Sequence, residues 1–128
     1  MATELHGVRV DVDGTRTDIT IPAGTRLSDY FREQLGGWPE YGHYGTAADP
    51  TGITAVVHET SARDMPVNGA ATTFACQIRS GQLDYYLHGP VFFFGFDRAC
   101  GATVSLTGEQ RAVLGRLPVY SKGGAGRG

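Results

Sequence analysis

His43 is the residue of this chain whose type and setting best suit acid–base chemistry. It lies between Tyr41 and Tyr44 in the segment YGHYG, and Asp49 follows shortly afterwards. An imidazole exchanges protons near neutral pH, and a neighbouring hydroxyl or carboxylate can orient it. We therefore take His43, Tyr41, Tyr44 and Asp49 as candidate catalytic residues. The alternative is that His43 is an ordinary histidine in a surface loop.

A predicted β-hairpin precedes this segment. Residues 8–12 alternate apolar and polar side chains, which is the pattern of a half-buried strand. Asp13-Gly14 is a tight-turn pair, and residues 18–21 supply a second short strand.

A predicted helix follows the hairpin. Residues 27–35 place apolar side chains at helical spacing; we expect Thr25 to cap this helix and Gly36-Gly37 to end it. A hairpin followed by a helix packed across it is how a β-grasp domain begins.

The amino-acid sequence of residues 8–36 resembles the N-terminal part of two-iron two-sulfur ferredoxin domains, especially the small iron–sulfur subunits of the xanthine and carbon monoxide dehydrogenase class. In that family a V-x-V-x-V-[ND]-G hairpin precedes a Pro-containing loop and an L-x-D-x-L-R-E-x-L-G helix. The helix motif is matched here by Leu27, Asp29, Arg32, Glu33, Leu35 and Gly36. A second match, Val67-Asn68-Gly69 with Phe74-Ala75-Cys76, is similar to the N-G-x-x-x-L-A-C strand that carries the last cluster cysteine. The resemblance covers about residues 8–78 and implies a β-grasp fold.

The cysteine loop of that family is not kept. Four thiolates hold such a cluster, but His43, Thr51 and Thr54 stand at three of the ligand positions and only Cys76 remains. We therefore expect that the cluster is lost, and that the protein uses no cofactor and no metal. An electron carrier with unusual ligation is nearly excluded by this ligand count.

Cys76 is the remaining candidate for chemistry. Since the resemblance places it with His43 at the vacated cluster pocket, it can act as a nucleophile; the alternative is a small buried apolar residue. A zinc site made from His58 and Glu59 with His43 or Asp49 is not supported by any metal-ligand spacing.

The remaining elements complete the predicted fold. Further strands are predicted at residues 53–58, 74–78, 83–87, 91–96 and 102–106. We expect the helix to cross a mixed sheet built from residues 8–12, 18–21, 53–58 and 74–78. Thr107 and Gln110 form a capping box for a last short helix that Pro118 ends. We interpret the aromatic segment at residues 84–96 as a core strand pair, with a ligand-lining aromatic wall as the alternative.

The fold class predicted is therefore α+β: a β-grasp domain with a β-rich aromatic C-terminal extension. The domain spans residues 1–122, divided into a ferredoxin-like core at 1–80 and a divergent extension at 81–120. We expect the Gly-rich tail, residues 123–128, to be disordered.

Composition and charge limit the classes of partner that this chain is expected to bind. The 128 residues carry a net charge of −2 and no basic stripe, which argues against nucleic acid. The opening MATELHG has no apolar core of signal-peptide type, and no apolar run approaches membrane length. We expect a cytoplasmic protein that does not contact a membrane, with both of its cysteines reduced.

Two functions fit these observations. The first is a cluster-less ferredoxin-like protein whose vacated pocket binds a small molecule or performs cofactor-free acid–base catalysis, of isomerase, cyclase or lyase type, in bacterial specialised metabolism. The alternative is a non-redox accessory subunit that docks onto an oxidoreductase or another biosynthetic enzyme. A cavity lined by His43, Tyr41, Tyr44 and residues 92–96 favours the first; a flat apolar patch around Trp38 favours the second. Both leave the oligomeric state open.

Overall fold

A computed structural model describes residues 4–117 as an antiparallel sheet with helices on both faces. The strands are β1 Leu5–Val10, β2 Arg16–Ile21, β3 Pro39–Tyr44, β4 Thr51–His58, β5 Val91–Asp97 and β6 Ala102–Val104. The helices are α1 Leu27–Leu35, α2 Ser61–Asp64, α3 Gly69–Arg79 and α4 Gly108–Gly115. The described helices are all far too short to cross a membrane.

The predicted hairpin is confirmed, although β1 ends at Val10 and Val12 lies in the turn rather than in the strand. Strands β1 and β2 pair antiparallel from Leu5 opposite Ile21 to Val10 opposite Arg16. The turn between them closes with the Gly14 N–H donating to the Asp11 carbonyl at 2.8 Å. Gly14 adopts a φ of 88°, a left-handed conformation that glycine tolerates without steric cost.

The predicted helix is confirmed with one correction at its start. Gly36 ends α1 in a left-handed conformation, and its N–H donates to the Arg32 carbonyl, as expected for a glycine after a helix. Thr25 does not cap the helix: the N-cap is Arg26, and no side chain accepts a hydrogen bond there. The Thr25 N–H instead donates to the Pro22 carbonyl and closes the preceding turn. Thr25 lies one residue before the N-cap position.

Strand β5 is the centre of the sheet, whose order is β2-β1-β5-β4-β3. It pairs with β4 along one side, and with β1 and then β6 along the other. Phe92, Phe93 and Phe94 are all fully buried. Burial of each such ring contributes about 1.5–3 kcal/mol, so this strand supplies a large part of the core.

The two faces of the sheet carry separate cores. On one face Phe92 and Phe94 pack with Phe31 of α1. On the other face Phe93 packs edge-on against Phe74 of α3, with ring centroids 4.8 Å apart, and Leu114 of α4 belongs to the same cluster. We call these the α1 face and the α3 face.

The predicted strand at residues 74–78 is wrong, because these residues belong to helix α3. Asn68 caps that helix, and its buried positions Ala70, Ala71, Phe74 and Ala75 recur at helical spacing. The predicted mixed sheet is wrong as well, since every strand pairing among residues 4–117 is antiparallel. The β-grasp assignment as a whole stays a prediction.

The C-terminal half follows the prediction in part. Strand β5 confirms the segment 91–96, and β6 confirms the first part of 102–106. The predicted strand at 83–87 is wrong, since that segment has no strand and only an isolated bridge joins His88 to Val67. The capping box of α4 is confirmed. Pro118 and the tail at 123–128 lie outside the described residues.

Asn68 joins three parts of the fold. Its side-chain oxygen accepts from the Ala71 N–H at 3.0 Å and so caps α3. Its amide nitrogen donates to the carbonyls of Val10 in β1, at 3.0 Å, and of Gly89, at 2.8 Å. The residue is fully buried, so these bonds cannot be replaced by water.

Asn68→Ala should lower the free energy of unfolding by about 2–4 kcal/mol, because it removes a helix cap and leaves two buried carbonyls without their donor. Urea denaturation measures this effect, and the slope of the unfolding free energy against urea concentration should stay unchanged. Thr73→Ala is the matched control, since the exposed Thr73 hydroxyl bonds only within α3 and its loss should change stability by about 0.5 kcal/mol or less. A loss below about 1 kcal/mol for Asn68→Ala would contradict the role given to this side chain.

Candidate functional site

Residues 41–44, which the resemblance places in the cysteine loop, lie in the edge strand β3, which pairs with β4. Side chains of a strand alternate between the two faces of its sheet. Tyr41 and His43 therefore lie on the α1 face, and Tyr44 lies on the α3 face. This alternation divides the predicted catalytic residues into separate groups.

His43 is held by two contacts on the α1 face. Its ring stacks on Phe96 of β5, with centroids 4.1 Å apart and planes inclined by 24°. Its Nδ1 lies 3.2 Å from the Thr54 hydroxyl of β4. Gly52 of β4 pairs with Phe96 and contributes no side chain between the two rings. The imidazole is therefore exposed but oriented.

A shallow cavity of about 290 Å³ lies beside this histidine. Its walls are His43, Tyr44, Gly45, Ala47, Phe96 and Arg98. Arg98 follows β5, is exposed, and donates to the Thr46 carbonyl, which ties the turn after β3 to the end of β5. Since Arg98 is the one permanently charged residue in this lining, the cavity is electropositive. We call it the His43 cavity.

Two predicted site residues lie apart from this cavity. Tyr41 packs edge-on against Phe31 of α1, with ring centroids 6.2 Å apart, and is not among the lining residues. Asp49 accepts a hydrogen bond from the Thr46 hydroxyl at 2.9 Å and stabilises the turn between β3 and β4. The structure therefore gives Tyr41 a packing role and Asp49 a role in the turn.

Tyr44 and Cys76 both lie on the α3 face. The Tyr44 hydroxyl hydrogen-bonds to that of Tyr85 at 2.7 Å. Burial, and then this bond, raise the pKa of Tyr44 well above its usual range. Cys76 is a half-buried free thiol of α3 close enough to influence Tyr44. His43 lies on the opposite face, so the structure does not assemble a His43–Cys76 catalytic pair.

Phe96, within residues 92–96, and Thr54, at a former ligand position, were expected near His43, whereas Arg98 was not. They come from β4 and from the end of β5, far along the chain, and the pairing register brings them together. One local signal was present: the alternation of residues 39–44 as a strand predicts opposite directions for His43 and Tyr44.

The positions of the family's cluster ligands do not fit a cluster. His43 and Thr54 lie on the α1 face, whereas Cys76 lies on α3 at the other face. Within residues 4–117, no group of three His, Cys, Asp or Glu side chains is close enough together to hold a metal ion.

Comparison with known protein families, with curated proteins and with solved structures finds no match to this chain.

Anaerobic reconstitution with iron and sulfide should yield a colourless protein, because thiolates are missing at three ligand positions and Cys76 faces away from His43. Visible absorption and iron analysis are the measurements. The double variant Cys76→Ser, Cys100→Ser is the control for iron bound nonspecifically by free thiols. Stoichiometric iron and sulfide with bands in the visible region would refute the loss of the cluster.

Tyr44 should ionise last in an alkaline titration followed by phenolate absorbance, because burial raises its pKa. The folded state favours the protonated phenol. This contribution to stability is therefore complete below about pH 10 and is lost as the pH rises above that value. Tyr44→Phe should remove the component of the titration curve that ionises last. Tyr86→Phe, at the most exposed tyrosine described, should leave that component in place. A late component that survives Tyr44→Phe would assign it to another residue.

Proposed function

We propose that this chain binds a small anionic molecule in the His43 cavity and that His43 exchanges protons with it there. The observation that carries the proposal is the stacked, hydrogen-bonded imidazole on the wall of an electropositive cavity. Reaction types consistent with this arrangement are cofactor-free isomerisation, cyclisation or elimination, each of which requires a positioned acid or base.

The charge of the lining supports an anionic ligand. Arg98 presents a guanidinium, whose planar fork matches a carboxylate or a phosphate. The nearest acidic side chain in sequence, Asp97 at the end of β5, accepts from the Ala99 N–H at 2.9 Å in the turn that follows. The Asp97 carboxylate is not among the lining residues of the His43 cavity.

The contacts of His43 support a chemical role. Because Nδ1 is engaged with Thr54, Nε2 is the ring nitrogen available to a bound molecule. Stacking on Phe96 restricts rotation of the imidazole. A positioned imidazole of this kind typically contributes about 10²–10⁴-fold to a proton-transfer step. Exposure of the ring on an edge strand also allows a ligand to reach it.

The origin that we propose is a cluster-less ferredoxin-like domain of β-grasp type. Its support is the confirmed hairpin, the helix α1 that packs against the sheet, and the position of His43 where the family places its first cluster cysteine. On this interpretation the position of the first cluster ligand, now His43, serves a small ligand instead.

The accessory-subunit alternative depends on Trp38, which is 56% exposed beside the edge strand β3. The Arg32 guanidinium lies over its ring, 3.9 Å from the centroid, and covers part of the apolar surface. A cation–π pair of this kind stabilises an exposed ring without a partner. We therefore favour the small-molecule function.

Benzoate should bind in the His43 cavity more tightly than its uncharged analogue benzamide, because only benzoate pairs with the Arg98 guanidinium. Titrations followed by ¹H–¹⁵N correlation spectra should shift the amide signals of Gly45 and Ala47. Arg98→Gln should weaken benzoate binding by about three- to tenfold, an effect limited by the exposure of Arg98. His43→Ala should weaken it as well, and His43→Asn less, while the melting temperature stays nearly constant.

Arg26→Gln is the matched control, since this exposed arginine lies before α1 and pairs with Asp29. It should leave benzoate binding unchanged. Equal binding of benzoate and benzamide, or equal losses in Arg26→Gln and Arg98→Gln, would refute the anion site. If His43→Ala lowers the melting temperature but still binds benzoate, His43 is a structural residue.

A further inference from the structure

A second cavity lies on the α3 face, and we propose that it binds a small organic cation of the ammonium type. Its volume is about 470 Å³, within the usual range for small-molecule sites. Helix α3 forms one wall with Thr72, Thr73 and Cys76, and residues 82–86 form the other. We call it the Tyr85–Tyr86 cavity.

Aromatic rings form the exposed part of this cavity. Tyr85 is 49% exposed and Tyr86 is 64% exposed, although both are large side chains that folding tends to bury. The hydrogen bond to Tyr44 holds the Tyr85 ring against strand β3. The π-face of an aromatic ring is electronegative and attracts a cation placed over it.

The two threonine hydroxyls of the lining are not free donors. The Thr72 hydroxyl donates to the Asn68 carbonyl and the Thr73 hydroxyl to the Gly69 carbonyl, each at 2.8 Å. Both hydroxyl protons are therefore committed to the main chain of α3. Gln82 and the two tyrosine hydroxyls of the lining can still donate, whereas an ammonium group requires only acceptors and aromatic faces.

The charge of the lining agrees with this choice. Asp84 is exposed and supplies the one carboxylate among the lining residues. The arginine of the same helix, Arg79, is not among the residues that line the cavity, and its Nη1 donates to the Gln82 carbonyl at 3.0 Å. The lining residues therefore carry a formal charge of −1, and the Arg79 guanidinium lies at the border of the cavity beside Gln82.

Calorimetric titration of the whole chain with choline tests the proposal. Choline should bind saturably, and its uncharged analogue, in which a tert-butyl group replaces the trimethylammonium group, should bind more weakly. Tyr86→Leu and Asp84→Asn should each weaken choline binding by about two- to fivefold, the effect expected of one exposed cation–π or ion-pair contact. Both residues are exposed, so neither substitution should change the fold.

Two control variants complete the experiment. Trp38→Leu and Asp29→Asn remove an exposed aromatic ring and an exposed carboxylate near α1, and both should leave choline binding unchanged. Absence of saturable binding, equal binding of the uncharged analogue, or equal losses in the control variants would overturn the cation site. Benzoate binding in the His43 cavity does not enter this test, so the two proposals fail separately.

Discussion

The burial of strand β5 on both faces is the constraint on which the rest of the structure depends. Phe92 and Phe94 require cover on one side and Phe93 requires cover on the other, so a helix must pack on each face. Helix α1 covers the first face, while α3 and α4 cover the second. Strands β1 and β4 satisfy the main-chain hydrogen bonds on either side of β5. The His43 cavity lies at the edge of the sheet, where β3 has no outer neighbour among the described strands.

The alternation of β3 turns one short sequence into two chemically different surfaces. His43 contacts Phe96 and Thr54 on the α1 face, where Arg98 supplies a positive charge. Its neighbour Tyr44 bonds to Tyr85 on the α3 face. That second cavity carries the carboxylate of Asp84. Tyr44 therefore connects the two cavities, because it is a wall of the His43 cavity and its hydroxyl bonds to a residue that lines the other.

Much of the fold was predictable where short-range rules apply, and the errors have a common physical cause. The hairpin, the end of α1 at Gly36 and the capping box of α4 depend on residues close in sequence. The prediction is wrong at residues 74–78, where the resemblance indicates a cluster-carrying strand but the pattern of the residues themselves indicates a helix. An asparagine cap followed by apolar residues at helical spacing indicates a helix, and the structure forms one.

The amino-acid sequence by itself determined which elements form, since turns, caps and apolar periodicity act over a few residues. It also indicated His43 as the candidate for proton exchange. Only the tertiary structure decided the neighbours of His43, because Thr54 and Phe96 reach it through the register of β3, β4 and β5. The same register separates His43 from Cys76. Long-range pairing depends on how the whole core packs around β5, and no local motif of this chain encodes it.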